Sequence, residues 1–207
     1  MTRQQTKKPL IAIDIDDVTA GFTEHVRLWA NQLAGVSLSA EDYITNDEYW
    51  QYYESIWRRH GLSEKLSIDA YLEAQADDQS DIPVIEGARE TIQALKDTYD
   101  IVFLTARPSY QKNATRAWLD QHIDSTIPLY MAFNPRLDAE ARSKGEICAE
   151  LGASLLIDDH IEHCKSALMH GLDTILFGSY GWNENAPAHL QRCVTWLDVR
   201  VRLLHDD

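Results

Sequence analysis

Three aspartates stand within four positions directly after a short apolar run, as Asp14, Asp16 and Asp17. Carboxylates this close repel one another unless a cation or buried hydrogen-bond donors hold them. Residues 14 and 16 face the same way if the chain stays extended, so two carboxylates can serve one site. A hard divalent ion such as Mg2+ explains the pattern economically, since it prefers oxygen ligands. Alternatively, the aspartates only end a strand and cap the next helix, and this motif alone leaves both interpretations open.

Thr105, Ala106 and Arg107 follow a second apolar run, at residues 101–104. A hydroxyl followed by exposed backbone amides at the start of a helix can hold a phosphate oxygen. A threonine at the end of a strand is, however, usually only a helix cap. This segment by itself is therefore a weak indication of a phosphate site.

Two further charged features lie later in the chain. Lys144 falls in the first turn of a predicted helix, where a cation interacts unfavourably with the helix dipole. Asp158 and Asp159 follow the apolar run 154–157. Ligands of open parallel sheets bind beyond the carboxyl ends of the strands. Because all these residues follow predicted strands or begin predicted helices, we expect them to meet at one edge of a sheet.

Five short apolar runs provide the strands that would position these residues. Near-continuous Ile, Val and Leu over four to six positions is typical of strands that are covered on both faces. Helical patterns lie between the runs, and Ser143 and Glu146 form a capping box at the start of one helix. The alternation predicts an α/β fold with a doubly wound, five-stranded parallel sheet. The runs occupy residues 10–15, 101–104, 127–131, 154–157 and 174–177.

The segment between the first run and the rest of the sheet has a different pattern. It contains no convincing strand, and one helical face begins at Phe22 and ends at Gly35. Two more helices are predicted around residues 47–60 and 63–76. We therefore predict a small all-helical cap at residues 21–81, inserted into a core formed by residues 1–20 and 82–207.

The composition of the chain restricts where the protein is expected in the cell and which partners it is expected to bind. The formal net charge is -14, which disfavours duplex nucleic acid but not a small phosphorylated substrate. The three cysteines, Cys148, Cys164 and Cys193, form no CxxC pair, and no apolar run is long enough to span a membrane. We expect reduced thiols and a cytoplasmic location. His160 and His163 have no second ligand group at matching spacing, so we expect an ordinary helix surface there.

Taken together, four segments resemble the signature motifs of haloacid-dehalogenase phosphatases, over residues 10–177. The segments are Asp14-x-Asp16-x-Val18, Thr105 after its apolar run, Lys144, and Asp158-Asp159. The helical insert matches the position of the first cap of that superfamily. The acid at position 16 favours the phosphatase branch, since the true dehalogenases lack it. Many members carry Gly where this chain has Asp17.

A finer resemblance concerns residues 101–108, 149–160 and 175–183. These segments, including the Tyr-Gly-Trp-Asn sequence at 180–183, look like the 5'(3')-deoxyribonucleotidase family and its bacterial relatives. Those enzymes remove phosphate from nucleoside monophosphates and favour pyrimidine deoxynucleotides. The resemblance thus implies a hydrolase whose substrate is a nucleoside monophosphate.

The resemblance also implies residue roles. Asp14 would be the nucleophile that is transiently phosphorylated, and Asp16 the general acid and base. Mg2+ would be bound by the Asp14 carboxylate, the Asp16 backbone carbonyl and Asp158, supported by Asp159. Thr105 and Lys144 would hold phosphate oxygens and act in catalysis. The predicted substrate- and phosphate-binding residues are Thr105, Ala106, Arg107, Lys144 and Phe22.

The predicted cap is rich in aromatic residues that could select the substrate. A base could stack on one or two of the rings, although aromatic residues at helical spacing more often form the core of a small domain. Phe22 is the exception, because it lies just past the loop that follows Asp14, which we call the nucleophile loop. The cap aromatics are Phe22, Trp29, Tyr43, Tyr49, Trp50, Tyr52, Tyr53 and Trp57.

Several alternatives remain open at this point. The substrate could be another small phosphate ester, or a 3' phosphate of nucleic acid. The phosphoryl group could pass to another hydroxyl instead of to water. The chain could also be a catalytically silent binding module, but the loss of Asp14, Asp16, Lys144 or Asp158 that would favour this is not seen. The sequence does not indicate the oligomeric state.

Overall fold

The computed structural model describes residues 7–45, 51–132 and 138–204. In these ranges six strands, numbered β1 to β6 along the chain, form one sheet in the order β3-β2-β1-β4-β5-β6, and each pairs with its neighbour in parallel. The strand order reverses at β1: β2 and β3 lie on one side of it, and β4, β5 and β6 lie on the other. The strands are Leu10–Ile13, Asp100–Thr105, Leu129–Met131, Ala153–Asp158, Asp173–Phe177 and Arg192–Cys193.

The doubly wound parallel α/β fold that the sequence predicted is confirmed, with one strand more than expected. The five apolar runs correspond to β1 to β5. The additional strand, β6, has only two residues, which pair with Leu176 and Phe177 of β5. Two residues are too few to show a strand period, so β6 could not be predicted from its residue pattern.

Eight helices, α1 to α8, complete the described part of the chain. Both faces of the sheet are covered: Ile11 and Ile13 pack in one cluster with Trp118, whereas Ala12 packs in another with Cys148. This alternation is the two-residue period of a strand buried on both sides. The helices are Phe22–Ala34, Tyr52–Arg59, Ile68–Ala74, Ala88–Leu95, Lys112–His122, Lys144–Leu151, Ile161–Met169 and Trp196–Leu204.

Helices α1 to α3 build a separate hydrophobic cluster, which includes Val26, Trp57 and Tyr71. Of the predicted helix at 47–60, residues 47–50 lie outside the described residues, and α2 covers 52–59. Helix α3 begins later than predicted, because the Ser67 hydroxyl accepts the Ala70 N–H and caps it there. We propose that residues 21–81 form the cap, and residues 1–20 and 82–207 the core.

The connections between the two parts run side by side. The Gly21 N–H donates to the Pro83 carbonyl oxygen over 2.7 Å.

All three cysteines are free and buried, in agreement with the expected thiols. No helix in the described ranges is long and apolar enough to cross a membrane.

Candidate active site

The polar residues predicted from separate segments lie at one edge of the sheet. Asp14 follows β1, and its N–H donates to the Ile157 carbonyl oxygen of the neighbouring strand β4 over 2.9 Å. Asp158 is the last residue of β4, and Thr105 is the last residue of β2. Because β1 lies between β2 and β4, the ends of these three strands are adjacent, as expected for parallel strands.

Lys144 links two of the strand ends. It is the first residue of α6, and Ser143 and Glu146 form the predicted capping box there. The Lys144 Nζ lies 2.6 Å from Asp14 Oδ1 and 2.7 Å from Asp158 Oδ2, and the lysine side chain is buried. Burial opposes the charge on Lys144, but the two carboxylates outweigh it and raise the lysine pKa above its usual range. The ammonium therefore stays charged at neutral pH.

The same lysine affects the two carboxyl groups differently. Burial raises the pKa of Asp14 to about 6, against the opposing attraction of Lys144. For Asp158, burial also favours the neutral form, but Lys144 and His163 outweigh it and lower the pKa below its usual range. At neutral pH both groups are thus carboxylates, which is the form that a nucleophile and a metal ligand require.

Asp159 completes a buried acidic triad with Asp14 and Asp158. One carboxylate oxygen from each of the three lies within 4.8 Å of the others. Burial, followed by repulsion from Asp158 and Asp14, raises the Asp159 pKa well above its usual value. The raised pKa means that a third negative charge beside Asp14 and Asp158 is costly and that the Lys144 ammonium does not offset it within the triad. Its oxygen ligands and its charge fit a hard divalent cation.

Asp16 forms an ion pair with Arg107. The arginine Nη2 lies 2.6 Å from Asp16 Oδ1, and its Nε lies 3.0 Å from Oδ2. Arg107 is buried and also donates to Gln79 Oε1 and to Thr115 Oγ1. Burial opposes its charge, but Asp16 outweighs it and raises the Arg107 pKa. The guanidinium is thus engaged by protein groups, and its predicted contact with phosphate stays a prediction.

The remaining predicted phosphate ligands, Thr105 and Ala106, directly precede Arg107 in the chain. Thr105 is fully buried, and its Oγ1 accepts the Arg107 backbone N–H over 3.2 Å. Ala106 is half-buried between the two. Since Ile13 pairs with Phe103, Thr105 leaves β2 close to the point where Asp14 leaves β1. The structure therefore brings the threonine hydroxyl to the same edge as the nucleophile candidate.

Asp17 has a backbone conformation that is uncommon for residues other than glycine, and its carboxyl group is hydrogen-bonded to Thr23. Its backbone has φ 54°, in the left-handed region that glycine adopts most readily. Its carboxylate accepts the Thr23 N–H over 2.9 Å and the Thr23 hydroxyl over 2.7 Å. Burial raises the Asp17 pKa to about 7, although both hydrogen bonds oppose this rise.

The cap aromatics divide into buried and half-buried rings. Tyr43, Tyr52 and Trp57 are buried in the cap cluster, in agreement with core packing. Phe22 begins α1, is half-buried, and contacts Tyr71 edge to face with ring centroids 5.2 Å apart. Its contact with substrate stays a prediction. Of the other rings, Trp29 and Tyr53 are half-buried, and Tyr49 and Trp50 lie outside the described residues.

Two residues at the site, His163 and Trp182, were not predicted from the sequence. His163 Nδ1 lies 3.0 Å from Asp158 Oδ1, and the Trp182 indole N–H donates to Asp159 Oδ2 over 2.7 Å. His163 was assigned to an ordinary helix surface because no second metal-ligand group had matching spacing. Its place in the first turn after Asp158 could have indicated a contact. Trp182 was part of a family resemblance, but nothing in its spacing indicated a role.

The model of one protein family matches residues 8–204, which is nearly the whole chain. That family is described as 5' nucleotidase, deoxy (pyrimidine), cytosolic type C protein. The chain belongs to this family. As a member of the cytosolic type C nucleotidase family, it is a phosphatase of the haloacid-dehalogenase superfamily. A comparison with curated protein sequences gives no match.

Solved structures show how widely the fold of this family member is shared. A haloacid-dehalogenase-like protein of unknown function from Agrobacterium tumefaciens matches with TM-score 0.62 and 17% identity, over 96% of this chain and 98% of the other. A predicted phosphoglycolate phosphatase from Haemophilus somnus matches with TM-score 0.60 and 16% identity, over 94% and 97%. CbbY from Rhodobacter sphaeroides, in complex with xylulose-(1,5)bisphosphate, matches with TM-score 0.55 and 13% identity, over 91% and 95%. At these identities the similarity concerns the fold alone.

Proposed function

We propose that this chain is a magnesium-dependent 5'-nucleotidase, which hydrolyses nucleoside or deoxynucleoside monophosphates through an aspartyl-phosphate on Asp14. The choice of a nucleotide rests on the family whose model matches residues 8–204. The observation that carries the chemistry is the buried Lys144 ammonium between Asp14 and Asp158, at 2.6 and 2.7 Å, where three strands end. Such a site pairs a carboxylate nucleophile with a cation that can hold phosphate oxygens.

The first half-reaction transfers the phosphoryl group to Asp14. The carboxylate oxygen attacks phosphorus in line with the leaving 5' oxygen of the sugar, and the bond to that oxygen breaks. Asp16 protonates the leaving oxygen, which would otherwise depart as an unstable alkoxide. The contact of Asp16 with Arg107, at 2.6 Å, fixes the Asp16 side chain beside the nucleophile loop. Substrate must therefore reach Asp16 at the edge that Arg107 does not cover.

The second half-reaction returns Asp14 to its free carboxylate. Asp16 has given up its proton and now takes one from a water molecule, which attacks phosphorus and displaces the Asp14 oxygen. Thr105 and Lys144 hold phosphate oxygens through both steps, since both lie at the edge where the nucleophile leaves β1. The Ala106 and Arg107 backbone amides are further donors in the same segment.

The donor set favours Mg2+ as the cofactor. Asp14, Asp158 and the Asp16 backbone carbonyl would hold it, supported by Asp159, because these are the hard oxygen ligands that Mg2+ prefers. When bound, the ion neutralises charge on the phosphate oxygens. The cost of a third negative charge beside Asp14 and Asp158 also supports a cation at this site, because a bound dication would stabilise the ionised form of Asp159.

The cap supplies the residues that we propose for substrate choice. Phe22 is half-buried and adjoins the nucleophile loop through Gly21 and Ala20, so it is our first candidate for stacking on a base. Stacking is worth about 1–3 kcal/mol per base.

The buried free thiols are compatible with a reducing compartment, and we propose a cytoplasmic location.

Phosphate release from a panel of esters tests this function. The panel contains deoxyribo- and ribonucleoside 5'- and 3'-monophosphates, sugar phosphates and an aryl phosphate, each assayed with Mg2+ and then with EDTA. We expect release that requires Mg2+ and is highest for 5'-monophosphates of pyrimidine deoxynucleosides. Release from sugar phosphates or 3'-phosphates alone would contradict the substrate, and release in EDTA would contradict the cofactor. A labelled alcohol acceptor in the same assay separates phosphoryl transfer from hydrolysis.

A further inference from the structure

The loop after β5 connects three parts of the candidate site. It covers residues 178–183, and its tryptophan, Trp182, donates its indole N–H to Asp159 Oδ2 over 2.7 Å. The Tyr180 hydroxyl donates to the Asp17 carbonyl oxygen over 2.6 Å. The buried Asn183 donates from Nδ2 to the Asp159 carbonyl oxygen over 2.9 Å. One loop therefore binds the side chain and the backbone of Asp159 and also the nucleophile loop.

The indole is fixed in place by its neighbours. Its ring stacks on Tyr180, with centroids 4.7 Å apart and planes 9° apart. Tyr52 of the cap contacts the Trp182 side chain edge to face, with centroids 4.8 Å apart and planes at 88°. Gly181 has no room for a Cβ, which would collide with the Thr45 carbonyl oxygen of the cap. Contacts from both core and cap thus determine where the Trp182 N–H points.

We propose that Trp182 is a positioning residue that orients the Asp159 carboxylate for a divalent cation, an inference that rests on the proposed metal site. The hydrogen bond to Oδ2 restricts rotation of a carboxylate that contributes one oxygen to the triad. Without this donor, the buried Asp159 carboxylate would lose a hydrogen bond that fixes its orientation beside Asp158 and Asp14. Groups that orient metal ligands typically change metal affinity by about 10–100-fold when they are replaced.

The chain offers a matched control for this test. Trp118 is buried, and its indole N–H donates to the Ile82 carbonyl oxygen over 2.9 Å, in the hydrophobic cluster of the core. Replacement of either tryptophan by phenylalanine keeps an aromatic ring and removes one N–H. Only the Trp182 replacement removes a donor from a member of the acidic triad.

The experiment measures metal binding by the full chain without substrate. The dissociation constant of Mn2+ is obtained from its free-ion electron paramagnetic resonance signal, with Mg2+ as competitor. We expect Trp182→Phe to weaken binding of both ions by roughly tenfold or more. We expect Trp118→Phe to bind them as the wild type does. Thermal unfolding in EDTA verifies that each variant is folded.

A double-mutant cycle separates positioning from a general loss of structure. If Trp182 acts through Asp159, Trp182→Phe has little further effect in a chain that already carries Asp159→Asn. Equal affinities of Trp182→Phe and wild type would overturn the role of Trp182 while leaving the metal site standing. An additive loss in the Asp159→Asn chain would overturn it as well. A wild-type chain that binds neither ion would overturn the proposed cofactor together with this inference.

Discussion

Replacement of Asp17 by asparagine is predicted to stabilise the protein above neutral pH. Burial raises the pKa of Asp17 from 3.8 to about 7, and ionisation in the folded state is therefore costly. A difference of about 3 pKa units corresponds to roughly 4 kcal/mol. Asparagine carries no charge, tolerates φ 54°, and can still accept the Thr23 N–H. The variant thus avoids the cost of burying a charge without losing its main hydrogen bond.

The sign of the pH dependence follows from proton uptake. Between pH 3.8 and about 7 the folded wild type keeps a proton on Asp17 that the unfolded chain releases. Stability from this group is therefore present at low pH and is lost as the pH rises through 7. From pH 5 to pH 8 the free energy of unfolding of Asp17→Asn should rise by about 3 kcal/mol relative to wild type. Above pH 8 the difference should be constant.

Urea unfolding at a series of pH values, in EDTA, measures this difference. Asp198→Asn is the matched control, because hydrogen bonds from Thr195 lower the Asp198 pKa. That variant should lose stability relative to wild type as the pH rises through the acid range, the opposite slope. A free-energy difference for Asp17→Asn that stays flat between pH 5 and pH 8 would refute the reasoning about burial.

Four further predictions concern the proposed catalytic groups. Asp14→Asn should abolish phosphate release and keep the fold, and turnover in a preparation free of contaminating phosphatase would contradict the nucleophile. Lys144→Met leaves the buried Asp14 and Asp158 carboxylates without their cation, so it should cost about 3–5 kcal/mol of unfolding free energy, with a drop in Tm of roughly 6–20 °C in EDTA; an unchanged Tm would contradict the ion pairs. Asp16→Asn should lower kcat roughly 100-fold or more for nucleoside monophosphates, and for 4-nitrophenyl phosphate as well, because hydrolysis of the aspartyl-phosphate needs the same residue as a base. The rapid first release of one equivalent of 4-nitrophenolate should persist, because this leaving group needs no proton, and loss of that burst would contradict the acid. Thr105→Val should weaken inhibition by inorganic phosphate roughly tenfold, and an unchanged inhibition constant would remove Thr105 from the phosphate site.

The sheet and most of the site could be predicted because their signals are local. Each strand from β1 to β5 is a short apolar run, and Asp14, Thr105 and Asp158 each follow such a run directly. Parallel strands bring their carboxyl ends to one edge, so position along the chain was enough to predict that these residues meet. The capping box at Ser143 likewise placed Lys144 in the first turn of α6.

Contacts between distant segments left no such local signal. Arg107 binds Asp16 across 91 positions, and Trp182 binds Asp159 across 23. Neither contact follows from strand or helix periods, since each depends on how a loop turns after its strand ends. Strand β6 was missed for a different reason, because two residues cannot show a period.

Trapping of the phosphorylated enzyme tests the central claim most directly. The full chain is mixed with a nucleoside monophosphate and Mg2+, quenched within one turnover, reduced with borohydride and digested, and the modified residue is located by mass spectrometry. Asp16→Asn mixed with 4-nitrophenyl phosphate serves to accumulate the intermediate, because this leaving group departs without an acid whereas hydrolysis of the intermediate needs a base. We predict modification of Asp14, and none when Asp14→Asn is used. Phosphate release by the wild type with no modified aspartate, or with modification at another residue, would contradict the account.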